Sequence, residues 1–302
     1  MARSGIANLH ERFHNDRMAT QRQAMRRAGF TLTELVIVVL IAFIGIGLAI
    51  TFLGRNRDRA NRVVCMNHLR MVGSAMQRYG DVHQNGDGKP FLPPSRIAEG
   101  YATWAVLLAP LAQANHPLEK WDLTKPFADQ PAEIRLAPTL FYICPARART
   151  AASSGEEPRR GAVGDYAAAW PDGEPKGGIV PATVTKKQGD AILEWRGRVT
   201  LADLKRGVST TILFGEKHVP RGRLNEVEAL DGPIADGGVL ASHARFAGEK
   251  YPLAETTDDP PTPIFGSWHD AVTNFLLADG SVDSITRQMA PELLARKMRL
   301  EN

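Results

Sequence analysis

Arg26-Arg27-Ala28-Gly29-Phe30-Thr31-Leu32-Thr33-Glu34, followed by an apolar run to Leu53, is the stretch on which the fold turns. Residues 35–53 carry no charge and a single hydroxyl, Thr51. At ~1.5 Å per helical residue they nearly span a hydrocarbon core of ~30 Å, so the composition predicts one membrane helix over 30–53. Gly45 and Gly47 are tolerated in such a helix, because neighbouring helices and lipid suppress fraying to water. The junction is unusual: a basic segment ends at Gly29, and an acidic residue, Glu34, stands at the edge of the apolar run. A carboxylate there is costly without a partner. Cleavage after Gly29 would supply one, the new α-amino cation of Phe30. An ordinary secretory signal fits less well, since its apolar region is ~7–15 residues and ends at a small-x-small site. This run is longer and is followed by Gly54-Arg55-Asn56-Arg57.

Outward from this stretch, charge separates the chain into parts. The 302 residues hold 37 Lys and Arg against 33 Asp and Glu, a formal net charge of +4. Six of the basic and two of the acidic residues lie in 1–29, which leaves 31 of each in the remainder. The basic excess therefore belongs to the leader, and bulk charge does not support a nucleic-acid partner. Five Arg precede Phe30 within twenty residues and five follow Leu53 within twenty, so the positive-inside rule gives a tie. Cys65 and Cys144 are the two cysteines, with no Cys-x-x-Cys and hence no zinc ribbon or redox motif. A Cys65–Cys144 disulfide is permitted outside the cytoplasm, and a pair of buried free thiols is equally consistent with the residue type.

Periodicity gives the elements. Cys65, Leu69, Val72, Met76 and Tyr79 recur at helical spacing and place one buried face on a helix that continues from the apolar run to near Gly80. Residues 81–94, with Asn85-Gly86-Asp87-Gly88-Lys89-Pro90, form a plain turn that lacks the ligand spacing of a calcium loop. A helix is expected over 101–114, with Trp104, Leu107, Leu108 and Leu111 on one face and Pro110 bending it. Strands are expected over 139–144, 191–195, 198–201 and 211–214, and a helical turn over 203–209. Residues 147–164 read as a polar, mobile loop, and 222–238 and 247–263 as loop-rich stretches that do not carry the core. Near the end, 273–278, Asp279-Gly280 and 281–286 read as a tight hairpin, and 291–300 as a C-terminal helix.

The order Gly29, Phe30, Thr31, Leu32 and Glu34 before the apolar run resembles the N-terminus of type IV prepilins and type II secretion pseudopilins. The resemblance implies cleavage after Gly29, N-methylation of Phe30 and a role for Glu34 in neutralising a neighbouring subunit's N-terminus during assembly. Further phrases are Cys65-x-Asn67-x-Leu69, the run 104–110, Cys144-Pro145, Asp165-Tyr166-Ala167, the run 201–216, and Phe265-Gly266-Ser267-x-His269 followed nine residues later by Asp279-Gly280. Together they resemble a bacterial family of prepilin-like proteins of unknown function that end in an H-x9-D-G motif.

A strand advances ~3.3 Å per residue, so His269 and Asp279 stand close to 20 Å apart and do not share one metal or one proton transfer. His269 is expected to fix the loop leading into the hairpin, and Asp279 and Gly280 to form its turn. Calcium sites occur in some pseudopilin heads, so calcium held by Asp279 with other loop oxygens is the one cofactor left open. Glu216, Lys217 and His218 read as ordinary charge after a strand. Ser209-Thr210-Thr211 lacks a nucleophile elbow, and no phosphate-cradling loop is present.

The expected protein is thus α+β and non-enzymatic, with a leader over 1–29, a transmembrane helix over 30–53, an amphipathic continuation over 54–80 and a pilin-like head with an antiparallel sheet over 81–302. Its implied partners are a prepilin peptidase/methyltransferase, other pilin-like subunits, an inner-membrane assembly platform and the membrane. Its implied place is the bacterial inner membrane, with the head in the periplasm or on the cell surface. A membrane-tethered surface binding module that never polymerises is the alternative.

Overall fold

The structure is a computed structural model. It describes residues 31–149 and 151–301, with the side chains of all of these except 49–55. Gly29 and Phe30 lie outside the described residues. The chain divides into two units, residues 1–54 and 55–302.

Helix α1 (Leu32–Val82) is one 51-residue element. In the first unit its residues 35–48 are exposed on every side. Among the described residues, however, no helix is long and apolar enough to cross a membrane. The transmembrane helix expected over 30–53 is corrected accordingly.

The second unit is α+β. Its main sheet has five strands, β3 (Tyr166–Pro171), β6 (Ile212–Glu216), β7 (Ala244–Ala247), β8 (Val272–Leu277) and β9 (Val282–Thr286), in the order β7-β3-β6-β8-β9. The sheet is mixed and not purely antiparallel, because β3 pairs β7 in parallel. Such a pair needs a crossover, and the chain makes it by way of β6. Small pairs complete the strands: β1 (Ser153–Ser154) with β2 (Gly161–Ala162), and β4 (Thr183–Gln188) with β5 (Ala191–Arg196).

Both faces of the main sheet are covered, which is why β3 is buried at all six positions. Tyr166, Ala168 and Trp170 join Phe214 and Leu276 in a core with Leu69, Val72, Met76 and Tyr79 of α1 and with Trp104 and Leu108 of α2 (Trp104–Ala112). Ala167 and Ala169 point the other way, into a cluster with Phe265, Phe275, Leu277, Leu294 and Met298. Leu294 belongs to α5 (Pro291–Arg296), which follows the short helices α3 (Ala132–Arg135) and α4 (Leu240–His243).

Several sequence expectations need correction. Residues 139–144 are not a strand but a 3-10 turn, Leu140–Tyr142, because Phe141 and Tyr142 turn into the core while Leu140 faces solvent. Residues 198–201 contribute only a single bridge, Phe91 to Thr200, before a 3-10 turn at Leu201–Asp203. The stretches 222–238 and 247–263 do carry core residues, among them Ala229, Ile234, Ala235, Leu253 and Ala254. The loop 147–164 is anchored by Arg147 and Arg149, whose guanidinium groups are buried.

Candidate functional site

At the start of α1 the sequence Thr31-Leu32-Thr33-Glu34 folds as a reciprocal cap. The Thr31 N–H and hydroxyl donate to Glu34 Oε2, each at 2.8 Å, and the Glu34 N–H donates to Thr31 Oγ1 at 3.2 Å. These bonds satisfy helix-terminal donors, and the Thr31 backbone bond draws the Glu34 carboxyl below its ordinary value. A Thr three residues before a Glu is the sequence signal for this cap. It gives Glu34 a local structural role beside the one implied by resemblance.

His269 sits at the second centre, and the fold packs chemistry around it from four separate segments. Cys65 comes from α1, Cys144 stands before the 3-10 turn Pro145–Arg147, Glu216 ends β6, and His269 precedes β8. All four are buried, and one donor atom from each lies within 4.8 Å of the others. The Cys65 and Cys144 sulfurs are 2.8 Å apart as free thiols, Cys144 Sγ is 3.6 Å from His269 Nε2, and His269 Nε2 is 3.3 Å from Glu216 Oε1.

A further layer orients these groups. His269 Nδ1 is 3.1 Å from Asp58 Oδ1, and Arg287 Nη2 donates to the His269 carbonyl at 2.9 Å. Glu216 Oε2 accepts from the Asn274 N–H at 2.8 Å and from Asn274 Nδ2 at 3.0 Å. Burial disfavours a charged His269, but the bonds to Cys144 and Glu216 prevail and push it up to about 10. The bond from Cys65 pulls Cys144 down to about 7 against its burial, and the same contact, with burial, raises Cys65.

Asp279 and Gly280 belong to a different place. Asp279 Oδ1 accepts from the Ser281 N–H at 2.9 Å and the Ser281 hydroxyl at 2.6 Å, closing the turn between β8 and β9. Gly280 takes φ +87°, and the turn lies against α1: Gln77 Nε2 donates to the Asp279 carbonyl at 3.4 Å. Thus His269 and the Asp279-Gly280 turn share no partner, yet each holds helix α1, one through Asp58 and the other through Gln77.

Sequence reasoning missed a buried ionic network. Asp165 accepts from Arg147 Nη1 at 2.8 Å and from Arg149. Asp231 accepts from Arg149 Nη1 at 2.5 Å and pairs with Lys217 Nζ at 3.1 Å. Burial alone would raise both carboxyls, but Arg147 and Arg149 hold Asp165 low, and Lys217 and Arg149 hold Asp231 low. Burial brings Lys217 down to about 8 against the pull of Asp231. Asp165 Oδ2 also accepts from the Cys144 N–H at 2.7 Å, so the network positions one of the sulfurs. Glu216, Lys217 and His218 are accordingly not exposed charge after a strand; all three are buried.

Comparison with curated proteins and with solved structures finds no match. A family model described as SBP_bac_10, "Protein of unknown function (DUF1559)", matches residues 55–292, a span that contains the ionic network, the His269 centre and the Asp279-Gly280 turn. With most of its length inside that match, the chain belongs to the DUF1559 family.

Proposed function

We propose that the chain is a non-enzymatic, prepilin-like (pseudopilin-like) subunit. On this reading it is cut after Gly29, N-methylated at Phe30 and built into a type II secretion or type IV pilus-like assembly at the cell envelope, with the second unit outside the cytoplasm. The observation that carries the reading is the bare apolar surface of α1, where Leu35, Ile41, Phe43 and Leu48 are 54%, 63%, 71% and 69% exposed. A helix apolar on every side persists only where other surfaces cover it. Copies of the same helix packed side by side provide that cover, and each fully buried Leu, Ile or Phe contributes about 1.5–3 kcal/mol.

Glu34 stands at the N-terminal end of this surface. A carboxylate held there pairs with the Phe30 ammonium of a neighbouring subunit, setting the stagger of one copy against the next. The partners are a prepilin peptidase/methyltransferase, other pilin-like subunits and their assembly platform. The test is the N-terminus and intact mass of the protein made in its own host. A chain that begins at Phe30 with one added methyl is expected, and an intact leader overturns the reading. Gly29→Ala is expected to block that processing while the thermal midpoint of residues 55–302 stays unchanged.

A further inference from the structure

We propose that Cys65 Sγ, Cys144 Sγ, Glu216 Oε1 and His269 Nε2 form a closed, four-ligand zinc site. The four donors converge from distant parts of the chain, within 4.8 Å of one another and all buried. Two sulfurs, an imidazole nitrogen and one carboxylate oxygen match the ligands zinc takes in tetrahedral sites, whereas calcium and magnesium take oxygen alone.

The surrounding bonds point the same way. Ligating histidines characteristically hand their other ring nitrogen to a carboxylate, and His269 Nδ1 lies 3.1 Å from Asp58 Oδ1. Glu216 keeps Oε2 on Asn274 through two bonds, while its buried Oε1 has only His269 Nε2 beside it, at 3.3 Å and without good hydrogen-bond geometry. A buried carboxyl oxygen held this way is poorly satisfied, and a cation at the centre of the four donors would satisfy it. A Cys65–Cys144 disulfide would account for the two sulfurs but not for the approach of Glu216 Oε1 and His269 Nε2 to each other and to them.

Zinc–sulfur bonds of ~2.3 Å at tetrahedral angles require the two sulfurs to open by about 1 Å from their present separation. With four protein ligands no position remains for water, so the metal is structural. It ties α1 to β6 and to the segment before β8, and it is independent of whether Gly29 is cleaved.

The test uses the full chain, purified under reducing conditions and loaded with zinc alone. Expected are one zinc per chain by elemental analysis, a chelator-dependent drop in melting temperature, and thiolate-to-metal charge-transfer absorption after cobalt(II) replacement. Cys65→Ser should abolish that absorption. Because such a variant can fail to fold, Asp58→Asn supplies a second measurement: it keeps all four ligands and should weaken zinc binding about 10–100-fold in competition with a chromophoric chelator. Failure of the reduced chain to bind zinc, or a Cys65–Cys144 disulfide in protein isolated from its host with no change in melting temperature on adding zinc, overturns the proposal.

Discussion

Asp231 shows what a single residue contributes here. Its carboxylate faces Arg149 and Lys217, and the three side chains are almost completely buried. Asp231→Asn would leave two cations without their shared anion, and removing one partner of a buried pair costs about 3–5 kcal/mol. By contrast, Arg223 and Glu226 form a pair whose side chains are 43% and 42% exposed, so Glu226→Gln should change stability by less than about 1 kcal/mol. Urea denaturation of the two variants beside the wild type checks both magnitudes, and equal effects would refute the role given to the network. The pH dependence follows from the same residues. Asp165 and Asp231 have folded values below the ordinary carboxyl range, so in the acid range the unfolded chain binds more protons than the folded one. Their stabilisation is present in full above the unfolded value of ~3.9 and is lost as pH falls from there through the folded values. The wild type should therefore lose stability steeply below about pH 4, and Asp231→Asn, weaker throughout, should show a shallower acid limb. None of this network was legible in the sequence. Arg147, Arg149 and Asp231 sit in polar stretches that look solvated one at a time, and only the tertiary fold brings them together. The convergence of His269 with Cys65, Cys144 and Glu216 spans more than two hundred residues and has no local spacing to reveal it.

Among the elements, the hairpin of β8 and β9 and the helix beneath it form one fitted joint. Gly73 faces the turn so closely that an added Cβ would stand 3.0 Å from Leu276 Cδ1 and 3.2 Å from the Gly280 Cα. On an isolated helix Gly→Ala stabilises by ~1 kcal/mol; here the added Cβ would press on Leu276 and on the Gly280 backbone, and overpacking costs about 1–3 kcal/mol. Gly73→Ala is thus expected to lower the melting temperature despite its better helix propensity, and a rise would mean that the joint is looser than the structure has it. Gly280→Ala places a Cβ at φ +87° and should cost about 1–2 kcal/mol. The hairpin was readable because Asp279-Gly280 follows the apolar run 275–278 and precedes a second short β-prone stretch, and so was the buried face of α1, because Leu69, Val72 and Met76 keep helical spacing. Strand β3 was not readable. Tyr166-Ala167-Ala168-Ala169-Trp170 is buried on both faces, so it has no alternation, and three alanines favour a helix on propensity alone. The strand expected over 139–144 failed for the opposite reason: its β-prone residues are satisfied by a short 3-10 turn that buries two aromatics.

For the molecule as a whole, Glu34 separates assembly from folding. Charge balance across the chain, readable from composition alone, already directed attention away from nucleic acid and toward the N-terminal stretch, and the extent of α1 was readable too, since the helix expected from the apolar run to near Gly80 is one element, Leu32–Val82. Glu34 caps that helix through Thr31, so losing its side chain also loosens the start of the helix. Glu34→Ala would therefore remove charge and cap together, and a failure to assemble could come from either. Glu34→Gln keeps an acceptor at the third helical position, where glutamine also serves a capping box, and removes only the charge. If the carboxylate pairs with the Phe30 ammonium of a neighbouring copy, Glu34→Gln should be processed after Gly29 as the wild type is, show an unchanged melting temperature, and yet be absent from sheared or crosslinked assemblies. Thr31→Val tests the converse, since it removes the hydroxyl of the cap while leaving the charge. It should loosen the start of the helix and still co-assemble with the wild type. Normal incorporation of Glu34→Gln into those assemblies would reduce Glu34 to a helix cap and leave the apolar surface of α1 as the sole determinant of how copies meet.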